Sequence, residues 1–186
     1  MPTVCAYQTT DAAELVLPCP LMEPRVIPLH ATLKLNTRLF LNCLDRVSDE
    51  TARTRSDEKT NSIAYIALHM HDARHYLGKY LGTEEPNPFK EITEPAQSID
   101  DITIYPSLAE MRTAWMEISL VLEQRLTELT DEEIDRLSPQ DAPVFPVDDK
   151  SILGGVAFLL QHEAFHIGQM ALLRKQLGHP AMSWEV

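Results

Sequence analysis

The sequence predicts an all-α chain: a four-helix bundle with a long crossover connection between the second and third helices. Three observations carry that expectation. The thirteen prolines gather at 2–28, 86–106 and 139–146, with one more at 180. A proline in a helix interior costs about 3 kcal/mol, so the long helices must lie in the windows 29–85, 107–138 and 147–179. In each window apolar residues recur at steps of three and four, the mark of an amphipathic helix. No alternating run of strand type and no internal repeat competes with that pattern.

The first window opens on the stripe Leu29, Leu33, Thr37, Phe40, Leu44 and Val47. The polar run 48–59 interrupts it, and from about Thr60 a second helix carries Ile66, His69, Ala73, Tyr76 and Tyr80, stopping at Gly82. Residues 83–105 are long enough to cross from one end of the bundle to the other, which lets neighbouring helices run parallel. In the second window Ser107 and Glu110 have the spacing of a capping box, and Leu108, Met111, Trp115, Ile118, Leu122, Leu126 and Leu129 form a core stripe. Thr130 and Glu133 repeat the capping spacing and predict a short turn to about Leu137. The last helix, capped by Asp148 or Asp149, runs from Ile152 to Leu177 and ends at Gly178. Between Ile152 and Leu173 its one formal charge is Glu163, so protein should surround it on most sides. Its small residues Ala157, Ala164, Gly168 and Ala171 suit either internal packing or a subunit interface. Residues 1–28 read as a Pro-rich arm, 29–180 as a single domain and 181–186 as a tail.

Sixteen Lys and Arg stand against 28 Asp and Glu, a formal charge of −12. No nucleic-acid partner is expected, because phosphate binding needs a basic face. No apolar run approaches the roughly 18 residues of a membrane span, and residues 1–15 lack the basic start and apolar core of a signal peptide. A soluble, cytoplasmic protein without a membrane partner is expected. Cys5, Cys19 and Cys43 are odd in number and form no CxxC pair, so they read as reduced thiols, Cys43 being a small buried residue.

Histidine is the informative residue type. His71 with His75, and His162 with His166, are spaced i,i+4, which sets each pair about 40° apart on one helix face. His162 and His166 share a face with Phe158, Leu159, Gln169 and Leu173 that is expected to point into the bundle. Two imidazoles there need partners, since each unpaired buried polar group costs about 1–3 kcal/mol; a metal ion satisfies both at once. His69, on the apolar stripe of the second helix, is the natural third ligand. Three neutral imidazoles with open coordination positions make a catalytic rather than a structural arrangement. His71 and His75, beside Asp72 and Arg74, read as surface or supporting residues, and His30 and His179 as helix-terminal or loop residues. Gln169, one turn after His166, is a candidate for positioning substrate or water. Glu163, about 100° round from His162, is a candidate acid or base, though better placed to orient a neighbouring helix.

The run His162-Glu163-Ala164-Phe165-His166 is literally HExxH, the zinc metallopeptidase signature. Its extended form fails, because Gln169 stands where glycine belongs and Leu172 where a third histidine belongs. A metallopeptidase is therefore the weakest of the readings.

The same residues carry a family resemblance. His162-Glu163-Ala164-Phe165-His166-Ile167-Gly168-Gln169, followed by Leu172-Leu173-Arg174 and Leu177-Gly178, resembles the last-helix motif of the DinB/YfiT-like metal-dependent bundles. Ser62 to His69, with Asp72-Ala73-Arg74 and Tyr76-Leu77, resembles their second-helix motif. The resemblance implies a divalent ion, nickel or zinc, held by His69, His162 and His166, together with the long crossover and a homodimer. Characterised relatives include thiol-dependent S-transferases and a maleylpyruvate isomerase, so it also implies a small-molecule substrate and a low-molecular-weight thiol as co-substrate. The competing reading is a metal-holding or structural dimeric bundle without chemistry. This chain departs from the family in its Pro-rich arm and in His71 and His75.

Overall fold

A computed structural model describes residues 22–139 and 144–184. The Pro-rich arm lies mainly outside the described residues, as do Cys5 and Cys19. Helix α1, Ile27–Cys43, begins two residues before the expected start and takes Pro28 into its first turn. A proline there sacrifices nothing, because first-turn N–H groups have no intrahelical partner. The polar run read as a break contains a short helix, α2, Asp49–Arg53; Ser48 accepts the Thr51 N–H at its start and Ala52 is fully buried beneath it.

Helix α3 spans Ile63–Tyr80 from its Ser62 cap, and Gly82 follows at φ 81°. The crossover carries α4, Lys90–Thr93, and a 3-10 turn, Ile99–Asp101. Both capping boxes form as expected, at the starts of α5, Leu108–Glu128, and α6, Asp131–Asp135. Helix α7, Ile152–Gln176, is capped by Ser151 rather than by Asp148 or Asp149. Asp149 instead accepts the Ser151 N–H at 2.9 Å, bracing the cap. Among the described residues there is no strand, only an isolated bridge between Leu137 and Ser151.

The four long helices form a ring in which α1 and α3 each pack on both α5 and α7. Cross-helix contacts give their directions. Asn36 reaches the Leu160 carbonyl while Arg174 reaches that of Asn42, so α1 and α7 run parallel. His71 meets Trp115, and Arg125 donates to the Leu81 carbonyl, so α3 and α5 are parallel too. Tyr80 reaches Ser151 while His69 meets His162, which makes α3 and α7 antiparallel. Parallel neighbours follow from the crossover, which returns the chain to the starting end of α3 before α5 begins.

The core is two apolar clusters, one around Phe40, Met70, Met111 and Met170, the other around Leu33, Leu77, Leu122 and Val156. Between them runs a polar layer contributed by all four long helices. Arg74, wholly buried, donates from Nε to Glu163 Oε1 at 2.7 Å and from Nη2 to Oε2 at 2.6 Å. Its Nη1 donates to Thr37 at 2.7 Å and Ser119 at 2.6 Å, and its guanidinium lies 3.7 Å above the Trp115 ring. Asn36 donates a further bond to Glu163 Oε2 at 3.2 Å.

His71 and His75 are corrected by the structure. Neither is on the surface: His71 is completely buried and His75 is 9% exposed. The crossover lies over this side of α3, with Phe89 edge-on to His71 at 4.9 Å and Phe40 and Trp115 closing the other sides. Burial drives the His71 ring down to about 3, with the Met111 backbone opposing.

Breaking one half of a buried ion pair leaves a bare charge and costs about 3–5 kcal/mol, whereas replacing both halves by apolar groups is far cheaper. In urea denaturation Arg74→Met and Glu163→Leu are each expected to destabilise by that order, and the double variant by clearly less than their sum. Additive effects would show that the pair does not act as a unit.

Candidate metal centre

The three histidines singled out in the sequence meet at the seam between α3 and α7. His162 Nε2 lies 3.2 Å from His69 Nε2 and 3.0 Å from His166 Nε2, and the three donor atoms fall within 4.8 Å of one another. Two nitrogens bound at about 2.0–2.1 Å and subtending 90–109° at an ion stand about 2.9–3.4 Å apart, so the donor spacing fits a divalent metal. Three imidazole edges turned on one point repel as lone pairs unless a proton or a cation lies between them.

The rings are held in the form that ligates. His69 is pushed down to about 4, first by burial and then by the neighbouring His166 and His162. His162 is lowered by burial and by His166, and His166 by burial, with Gln169 opposing. All three are therefore neutral near pH 7. Gln169 Oε1 lies 2.7 Å from His166 Nδ1. An amide oxygen only accepts, so Nδ1 carries the proton and Nε2 presents its lone pair to the triad. His162 has no such brace: its Nδ1 is buried without a partner among the described residues, and its ring packs on Phe158 at 6.4 Å.

The faces differ from the sequence expectation. His162 and His166 are half-buried, and the side of α7 that enters the core carries Leu160, Glu163, Ile167 and Met170. His69 is an exposed residue, although protein packs closely around its ring. Helix α3 touches α5, α7 and the crossover together, so its buried arc covers almost the whole circumference and leaves His69 and Lys79 as its exposed residues. An apolar stripe cannot identify the core face of a helix buried so widely. Within one chain α7 keeps an open side, on which Phe165 and Leu172 are 60% and 58% exposed. Cys43 is buried, as expected.

Gln169 stands beside the triad, while Glu163 does not face it, both its oxygens being engaged by Arg74. Arg74 was not singled out as a functional residue; its signal was the Asp72-Ala73-Arg74 run, five residues beyond His69. Beside His69 a cavity of about 70 Å³ is lined by Tyr65, Asp72, Thr93 and Ile102. Asp72 Oδ1 accepts from Asn87 and from Thr93 at 2.8 Å; burial raises this carboxyl above its usual range against those bonds.

Fold and site together define a class: a helical bundle with a metal-competent histidine triad between two antiparallel helices. Residues 32–170 match the family model of the DinB superfamily, and the chain belongs to that superfamily. Its structure is similar to YfiT from Bacillus subtilis, described as a probable metal-dependent hydrolase with an unusual four-helix bundle topology. The TM-score is 0.61 at 13% identity, over 94% of this chain and 95% of that one. At that identity the likeness shows the four-helix bundle fold. No curated protein matches the sequence. Among the described residues no helix is long and apolar enough to cross a membrane.

Removing the group that orients a metal-binding histidine weakens metal binding by about 10–100-fold. Gln169→Ala is expected to do so in chelator competition, with Gln169→Glu retaining most of the affinity. Unchanged affinity in Gln169→Ala would show that the His166 tautomer is set otherwise.

Proposed function

We propose that the protein is a metal-dependent hydrolase whose divalent ion is held by His69, His162 and His166. The observation that carries this is the convergence of three neutral Nε2 donors at one point. Such an ion supplies Lewis-acid chemistry, lowering the pKa of water or of a thiol toward neutrality. Gln169 holds His166 in its ligating tautomer. Asp72, which lines the cavity beside His69 and whose Oδ1 is occupied by Asn87 and Thr93, is the group that takes up or gives a proton there. Glu163 acts on the site only through Arg74, as a positioning residue, and not as the acid or base of an HExxH peptidase.

Water is favoured over the low-molecular-weight thiol that the resemblance suggested. The cavity beside His69 has Asp72 as its one carboxylate and no Lys or Arg in its lining, so apart from the ion no side chain there attracts an anionic thiol. The description of YfiT as a metal-dependent hydrolase points the same way. The homodimer is a further part of the reading, with the outer face of α7 as its surface. There Phe165 and Leu172 flank Gly168, where an added Cβ meets nothing within 4 Å.

Protein purified without an affinity tag is expected to hold one nickel or zinc per chain, and a His162→Ala, His166→Ala variant none. Activated esters and amides should turn over with the loaded protein and not with that variant. Absence of metal, or its retention in the variant, would overturn the site. Turnover only with an added thiol and an electrophile would make the enzyme a transferase; no turnover of either kind would make it a metal-holding bundle. Phe165→Glu with Leu172→Glu is expected to give a monomer in sedimentation where the native chain sediments as a dimer, and an unchanged sedimentation coefficient would exclude this face.

A further inference from the structure

A second cavity, of about 230 Å³, lies between α3, α5 and the crossover residues that follow Gly82. It opens beside His75, which stands six residues from His69, about 9 Å along the helix and about 240° around it. It is therefore separate from the triad.

The polar atoms around this cavity are of one kind. His75 is nine-tenths buried, and its Nδ1 lies 2.9 Å from the His71 carbonyl oxygen. Because a carbonyl only accepts, Nδ1 carries the proton and the lone pair is on Nε2, the other side of the ring. No group among the described residues hydrogen-bonds Nε2. Burial holds the His75 ring below its usual range despite the nearby carboxylates of Asp72 and Glu85, so the acceptor stays an acceptor at neutral pH. Glu85 and Glu117 line the same cavity, and neither takes part in a hydrogen bond or ion pair among the described residues. The remaining wall is apolar, chiefly Pro86, Ile118 and Val121, and no Lys or Arg lines it.

We propose that this cavity binds a small organic cation through its primary ammonium, with the three N–H donors directed to His75 Nε2 and the carboxylates of Glu85 and Glu117, and the hydrocarbon part lying on Pro86, Ile118 and Val121. A bare metal ion fits less well. Ligating atoms must converge on an ion as those of the triad do, and no other His, Cys, Asp and Glu group among the described residues comes within 4.8 Å in this way. An ion also makes no use of apolar walls. The volume falls below the roughly 300–1,000 Å³ of pockets for drug-sized ligands, which sets the occupant at metabolite size. The chain's net charge of −12 draws cations toward it.

Butylammonium is the probe and butanol its uncharged control. The readout is the His75 ring resonance, assigned by its loss in His75→Asn. Butylammonium is expected to move that resonance saturably, and butanol not to move it at the same concentration. Glu85→Gln and Glu117→Gln, both at exposed positions that the fold does not need, are each expected to weaken the effect about tenfold, or roughly 1.4 kcal/mol. The shift should persist in the His162→Ala, His166→Ala variant, which separates this site from any amine bound at the triad. Four results would each overturn the proposal: no saturable shift up to roughly 100 mM, a value well above ordinary weak binding; equal shifts with butanol; indifference to both glutamine variants; or loss of the shift in the double-histidine variant. Stoichiometric zinc binding at His75 in preference to butylammonium would make it a metal site instead.

Discussion

The buried pair of Arg74 and Glu163 is the contact on which the rest of the molecule depends. Four side chains, one from each long helix, would be costly to bury singly: Thr37, Arg74, Ser119 and Glu163. Here each satisfies another, and the layer they form divides the core into two apolar clusters. Apolar contacts alone tolerate sliding, because one methyl group serves nearly as well as the next. A bidentate guanidinium–carboxylate pair does not tolerate it. Moving α7 by one residue would turn Glu163 by about 100° and withdraw it from Arg74. Since His162 precedes Glu163 and His69 lies five residues before Arg74, the register that closes the ion pair is also the register that brings three imidazoles together.

The crossover has an equally definite role. By returning the chain along the bundle it allows α3 and α5 to run parallel, and in passing it covers the side of α3 that would otherwise face water. Phe89 closes over His71, Asn87 and Thr93 hold Asp72 at the cavity beside His69, and Glu85 with Pro86 walls the second cavity. One connecting segment thus supplies a wall to each of two separate recesses. It does so because α3 lies between α5, α7 and this segment and has little free surface left.

These constraints explain what was legible in the sequence. The four long helices could be read because prolines bound their windows, Ser107 caps α5, and Gly82 and Gly178 end α3 and α7. Three of the histidines could be read because their spacing and chemistry are local. Facing was not legible. A stripe at steps of three and four identifies the buried side only when the other side is wet, and α3 is covered nearly all round. Hence the same pattern reads His71 and His75 as surface or supporting residues and sets His69 on the buried stripe, whereas His71 and His75 are buried and His69 is exposed. The partner of Glu163 was hidden for another reason: Arg74 lies 89 positions away in the chain, and nothing within one helix signals that a charge on it is answered by a charge on another.

The identity of that partner bears on the site's chemistry. A carboxylate one residue from a metal-competent histidine would ordinarily be a candidate for coordination or proton transfer, and either role would place negative charge near the triad. Arg74 withholds it, taking both oxygens of Glu163 and sealing them 1% exposed within the core. The donor set that remains is three neutral imidazoles, so a divalent ion held by them would keep its full charge, the condition under which such an ion acidifies a ligand most strongly. The literal HExxH motif has therefore been put to a different use. Its histidines stay at the half-open seam of α3 and α7, and its glutamate faces the core, where it fixes the position of the histidines without adding its charge to them.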